Sequence, residues 1–149
     1  MSTPLTSAEK WQHILELDEE LLVGGVVVSE FSAFLVRDVD VAYCAGAYLA
    51  AMVLSQAAIE SHLRYEYADS MPSKPRGFRD LIEASPLEPD LRAELHHLRR
   101  VRNAWIHVSD PAEDAELLSN QNRWEDELAI EARNAIRLLR RVLYLEQTV

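Results

Sequence analysis

The sequence predicts an all-α fold, an up-and-down bundle of about five helices forming one domain over residues 1–149, and three observations carry that expectation. Apolar residues recur at helical spacing through most of the chain. Gly is rare, at four residues, which disfavours a turn-rich β architecture. The one β-branched run, Val26–Val28, has no second strand to pair with. With 48% hydrophobic residues, a chain of this length buries a core of its own.

The elements follow in order. Residues 6–22, T-S-A-E-K-W-Q-H-I-L-E-L-D-E-E-L-L, open with Thr6 and Glu9 in capping-box spacing. Trp11, Ile14, Leu15, Leu17, Leu21 and Leu22 then supply the apolar periodicity of a first helix. Gly24 and Gly25 break it. Residues 26–38 read as a second helix, with Val27, Phe31, Phe34 and Leu35 on one face. Asp38 or Asp40 caps a long helix over about 41–68, whose alanines allow a neighbouring backbone to approach. Residues 70–77, S-M-P-S-K-P-R-G, form the clearest loop, and 78–89 a short helix and turn. A helix over 89–108 presents Leu91, Leu95, Leu98, Trp105 and Val108 along a seam, limited by Asp110 and Pro111. The last helix starts near Asn122, with Glu125 completing a capping pattern. It runs to about 146 through Leu128, Ile130, Ile136, Leu139, Val142 and Leu143.

Composition narrows the function classes. A net charge of −10 and a pI near 4.9 exclude a protein that coats nucleic acid with a basic surface, and DNA is not an expected partner. A local anion site remains open, because 13 of the 15 basic residues are arginines, whose planar fork suits carboxylate and phosphate. The single cysteine, Cys44, excludes an internal disulfide framework and reads as buried filler. The 19 uncharged residues 41–59 approach a membrane span in length. Seven alanines and close flanking charges make them a buried core helix instead, and no membrane association is expected. The N-terminus has no basic region ahead of an apolar core, so a cytoplasmic location is expected.

There is no Gly-rich phosphate loop, no His-Glu-x-x-His and no Gly-x-Ser-x-Gly. The adjacent His96 and His97 cannot share a helix face, and no carboxylate spacing near them suits a metal pair, so neither metal nor cofactor is expected. What remains is R-N-A-W-I-H, residues 102–107. An Arg followed five positions later by His is weak by itself, with roughly 0.4 matches expected by chance, and Arg92 with His97 is a second instance. Requiring Asn after the Arg lowers the expectation to about 0.01, which selects Arg102, Asn103 and His107 and leaves Arg92 and His97 as a decoy.

This motif and its surroundings resemble the HEPN superfamily, small helical domains that include metal-independent ribonucleases of toxin, phage-defence and RNA-processing systems. A long helix ending in A-A-I-E-S-H-L-R, a variable loop, the motif helix and a closing helix match the family's order over roughly residues 41–147. The resemblance implies a homodimer whose two motifs line one cleft, with RNA as substrate and possible control by an antitoxin protein. It also implies the chemistry. The 2′-hydroxyl attacks the adjacent phosphate, His107 assists proton transfer, and Arg102 with Asn103 stabilises charge at phosphorus. Some members are catalytically silent nucleotide-binding or interaction modules, which is the alternative. In a subgroup a Tyr two residues after the His is a modification target, and Ser109 stands there in this chain.

Helical geometry adds detail. Residues five apart lie about 140° apart, so Arg102 turns toward the seam while His96, Asn103 and His107 share an edge. A half-buried Arg102 needs a carboxylate, and Glu60 is the candidate, whether as part of the site or as a brace within the bundle. Arg99 and His96 complete the supporting set. His107 stands near the negative end of the helix dipole.

Overall fold

The computed structural model describes residues 3–107 and 115–148. Its helices are α1 (Ser7–Leu21), α2 (Glu30–Cys44), α3 (Tyr48–Tyr67), α4 (Phe78–Ala84), α5 (Pro89–Ile106), α6 (Ala115–Ser119) and α7 (Gln121–Leu143). A single 3-10 turn, Ala68–Ser70, follows α3. Among the described residues there is no strand, and an isolated bridge between Gly25 and Thr148 is the one β-type pairing. The fold is all-helical.

α1 starts as its sequence dictates. The Thr6 hydroxyl accepts from the Glu9 N–H at 3.2 Å, and the Glu9 carboxylate accepts from the Thr6 N–H at 2.6 Å. The helix buries Lys10, Ile14 and Leu17, one stripe at spacings of four and three, so Trp11 and Leu15 from the same apolar pattern face outward. The buried Lys10 ammonium lies 4.8 Å from the Tyr48 ring centroid and 5.9 Å from that of Tyr43. After α1 the chain is tied to the C-terminal segment. Gly25 and Thr148 exchange backbone hydrogen bonds at 2.8 Å, and Gln147 Oε1 accepts from the Val23 and Gly24 N–H groups.

Three expectations about the first half need correction. Val26–Val28 lie outside any helix, because Ser29 caps α2 by accepting from the Ser32 N–H. Phe31 and Phe34 form the outward face of α2, at 68% and 61% exposure, while Ser32, Val39 and Tyr43 point inward. Asp38 and Asp40 do not cap the long helix. α2 continues through both to Cys44, and the break falls at Ala45–Ala47, where Gly46 adopts φ +81°, a conformation natural to glycine.

Asp40 has another role. Arg140 of α7, 3% exposed, donates from both terminal nitrogens to Asp40 at 3.0 and 2.8 Å and from Nε to Asp18 of α1 at 2.9 Å. The Tyr144 hydroxyl also donates to Asp18. Three helices therefore share one buried ionic junction.

α3 lies at the centre, packed most extensively against α2 and α7, with Ala51, Met52, Ala58, Ile59 and Leu63 in the core. α5 leans on this core through Leu91, Leu95 and Leu98. Pro89 occupies its first turn, where a missing N–H costs nothing. α7 begins at Gln121 with no side-chain cap, so the Asn122 and Glu125 capping pattern is not formed. Ile130, 68% exposed, lies off the Leu128, Ala132, Ala135 and Leu139 stripe and faces out. Val108, Ser109, Asp110 and Pro111 lie outside the described residues. No helix among those described is long and apolar enough to cross a membrane.

Candidate functional site

The last turn of α5 carries Arg102 and Asn103, whose side chains are hydrogen-bonded, and leads into His107, which is joined to Asn103 through its backbone. α5 is held from below by its buried leucines and from the side by Trp105, whose ring meets Trp124 of α7 edge-on at 5.4 Å and 86°. The helix ends at Ile106, and His107 is its cap residue, with φ −103° and ψ 95°. The His107 N–H donates to the Asn103 carbonyl at 2.9 Å, and the residue is exposed.

Asn103 is the hub of this turn. Its carbonyl receives the His107 N–H, and its side-chain oxygen accepts from Arg102 Nη1 at 3.2 Å. Consecutive helical side chains point about 100° apart, so this contact depends on the length of the Arg102 stem curling back. Arg102 is half-buried, and its Nε has no partner among the described residues.

The expected Glu60 partner is not in place. No ion pair within 4 Å joins Arg102 to Glu60, whose carboxylate accepts from Gln56 Nε2 one turn earlier on α3 at 3.2 Å. That contact is made within α3, by a neighbour four residues back on the same helix face. Among the described residues, Arg102 thus carries its charge against a neutral amide.

His96 and Arg99 sit two turns and one turn before the motif. His96 Nε2 lies 2.6 Å from Glu83 Oε1 of α4, and Arg99 Nε donates to His96 Nδ1 at 3.4 Å. A donor at Nδ1 puts the ring proton on Nε2, where the Glu83 carboxylate receives it. The hydrogen bond from His96, aided by the charges of Arg92 and Arg79, holds the Glu83 carboxyl below its ordinary range. Glu83 was not a sequence candidate. A carboxylate in a short helix gives no sign of which residue it meets on the next one.

Arg92 and His97 have structural engagements. Arg92 Nη2 donates to the Ser85 and Leu87 carbonyls and so braces the turn between α4 and α5, while His97 faces Glu131 of α7 at 3.3 Å. Arg141 joins α7 to Asp90 and Glu94 at the other end of α5. The motif helix is therefore fastened at both ends.

Beside the motif, Val101, Ala104, Trp105, Glu127, Ile130 and Glu131 line a shallow apolar groove of about 390 Å³ between α5 and α7. Among the described residues no three His, Cys, Asp or Glu side chains gather in an arrangement that could hold a metal ion. Chemically, the turn offers an exposed imidazole and a guanidinium with no carboxylate within 4 Å among the described residues, groups able to move a proton and to stabilise an anion respectively. In comparisons with protein-family models, curated proteins and solved structures, the chain matches none.

Proposed function

We propose that this chain is a HEPN-like, metal-independent endoribonuclease acting as a homodimer in a toxin or phage-defence setting, with Arg102, Asn103 and His107 as its reactive group. One observation carries the reading: the half-buried Arg102 guanidinium is held by the neutral Asn103 amide, and the same residue fixes the backbone of His107. Such a cation, with no carboxylate within 4 Å among the described residues, would meet a phosphate, and the imidazole stands at the same helix end.

In the proposed reaction the RNA 2′-hydroxyl attacks the adjacent phosphorus and the bond to the 5′ oxygen breaks, leaving a cyclic phosphate and a free 5′-hydroxyl. His107 moves the proton, Arg102 offsets the charge that builds on the phosphate oxygens, and Asn103 orients Arg102. A second copy supplies the second motif of the cleft. Arg99 and His96 are supporting groups, whereas Glu60, engaged by Gln56, does not reach the motif. RNA is the substrate, and an antitoxin protein is the expected partner in a toxin setting.

The test is cleavage of single-stranded RNA in excess chelator. Wild type is expected to cleave, and His107→Ala to lose about 10²–10⁴-fold in rate while keeping its helical circular dichroism. Equal rates would remove His107 from the mechanism, and a monomer at micromolar concentration would remove the shared cleft. A second reading, a catalytically silent module that binds nucleotide or protein, draws on the net charge of −10, which is unfavourable for RNA. Saturable nucleotide binding without RNA cleavage would favour it.

A further inference from the structure

The negative charge of the chain is unevenly placed. Residues 60–107 carry eight Lys and Arg against eight Asp and Glu, so the entire excess of −10 lies outside this stretch. Within it, cations converge on one place. Ser73, Lys74, Pro75, Arg76, Asp80 and Glu83 line an open groove of about 420 Å³ between the loop after α3 and the helix α4. Glu83 forms its inner wall and is faced from the other side by Arg92 at 3.9 Å and His96 at 2.6 Å, with Arg79 adding its charge. Arg64 of α3 donates to the Pro75 carbonyl at 3.3 Å and pins the loop. Lys74 and Arg76 are thus the cations of the lining, while the charge of Glu83 beside them is offset from outside it by Arg92 and Arg79.

One wall of the groove is also linked to the motif helix by hydrogen bonds. Glu83 receives His96, His96 receives Arg99, and Arg99 precedes the hydrogen-bonded Arg102 and Asn103 by one turn. From His96 to His107 the helix rises about 16 Å, too far for the groove to touch the reacting phosphate in the same copy. A linear polyanion is the ligand that would use both ends of such a track.

Resting on the nuclease reading, we propose that the groove at Lys74 and Arg76 is a second RNA subsite, which grips backbone phosphates of the single strand at a distance from the bond being cut. Lys74 and Arg76 are exposed and hold no ion pair among the described residues, so phosphate would not have to displace a partner. These are positioning residues. They set how long an RNA the protein prefers and leave the chemistry to α5.

The test compares wild type with Lys74→Ala/Arg76→Ala, using labelled single-stranded RNAs of about four and about twelve nucleotides across a salt series. Wild type is expected to prefer the longer RNA. In the double variant that preference should collapse, with affinity for the longer RNA down roughly tenfold and the salt slope shallower by about 1.4, the share of two phosphates on a single strand. Lys74→Arg/Arg76→Lys should restore both. If the double variant keeps the wild-type length preference and slope while RNA is still cut, the subsite fails and the nuclease reading stands. If wild type neither binds nor cuts either RNA, both fail. Displacement of the longer RNA by an equal concentration of poly-glutamate would assign the groove to acidic peptides and overturn the RNA assignment.

Discussion

Replacing Asp40 with Ala tests whether the buried junction organises the bundle. Asp40 supplies two of the three hydrogen bonds that hold Arg140, and both residues are at least nine-tenths buried. Burial pushes the Asp40 carboxyl up, and the hydrogen bonds and charge of Arg140 oppose that rise. Burial works against the charged Arg140 too, yet Asp40 and then Asp18 hold it above its ordinary value. The two-pronged contact favours the ion pair, since a neutral Asp40 would leave the guanidinium with Asp18 as its sole counter-charge. Removing Asp40 leaves a buried cation half compensated, a loss of about 3–5 kcal/mol. Against a domain stability of about 5–15 kcal/mol this is a large fraction. In urea, with a slope of about 2 kcal/mol per molar, the midpoint followed by circular dichroism should fall by roughly 1.5–2.5 M. The control lies two residues away. Asp38 pairs with Arg37 at 3.1 Å with both side chains more than half exposed, so Asp38→Ala should cost about 0.5 kcal/mol or less. Asp40→Leu combined with Arg140→Met should recover part of the loss, because the one charge left without its partner, Asp18, is a third exposed and keeps its bond from Tyr144. Equal midpoint shifts for Asp38→Ala and Asp40→Ala would refute the argument.

Stability should fall as pH drops below about 6.5. His62 is 1% exposed, its Nδ1 has no partner among the described residues, and burial lowers its pKa. The unfolded chain takes up the proton first, so stability is fully present above the unfolded value and declines as pH falls toward the lower folded one. The slope reaches about 1.4 kcal/mol per pH unit for each such histidine. His13, lowered first by burial and then by Arg133, adds to it. Urea midpoints between pH 8 and 5 measure the slope, and His62→Leu should flatten it; an unchanged slope would acquit His62. The ring contact that steadies the motif helix is checked by a double-mutant cycle. Trp105→Leu and Trp124→Leu should be coupled by about 0.5–1.5 kcal/mol, and additive losses would mean that Trp124 does not anchor the end of α5.

Much of this architecture is written locally. The Thr6–Glu9 box, the proline-bearing loop at 70–77 and the leucine spacing of α5 depend on residues within a turn or two, and periodicity reveals them. What is hidden depends on distant partners. Asp40 looks like a cap until Arg140, one hundred positions later, is placed against it. An arginine amid Ile136, Leu139 and Leu143 was a visible sign of a buried charge, but its partners were not. Phe31 and Phe34 satisfy a helical face in sequence, yet the face that meets α3 carries Ser32, whose hydroxyl bonds that of Ser61 at 2.7 Å. Periodicity finds a stripe without saying which way it points. The same limit applies to Glu60, because any acidic residue on a facing helix satisfies a spacing argument, and its neighbour Gln56 already occupies it.

The charge balance makes Arg102 unusual for a physical reason. The chain has 25 acidic residues to 15 basic ones, so a carboxylate is the commonest partner an arginine could find. Arg137, Arg140 and Arg141 each hold one or two. Arg102, half-buried on the motif turn, holds none within 4 Å among the described residues and rests on an amide. Desolvating a guanidinium without a counter-charge is unfavourable. Among the described residues no carboxylate within 4 Å supplies the compensating charge, and under the nuclease proposal a bound anion would. In the proposed reaction a phosphodiester lying across the end of α5 would supply that charge. Binding at Arg102 is common to the nuclease and the silent module, so cleavage that depends on His107 is what separates them.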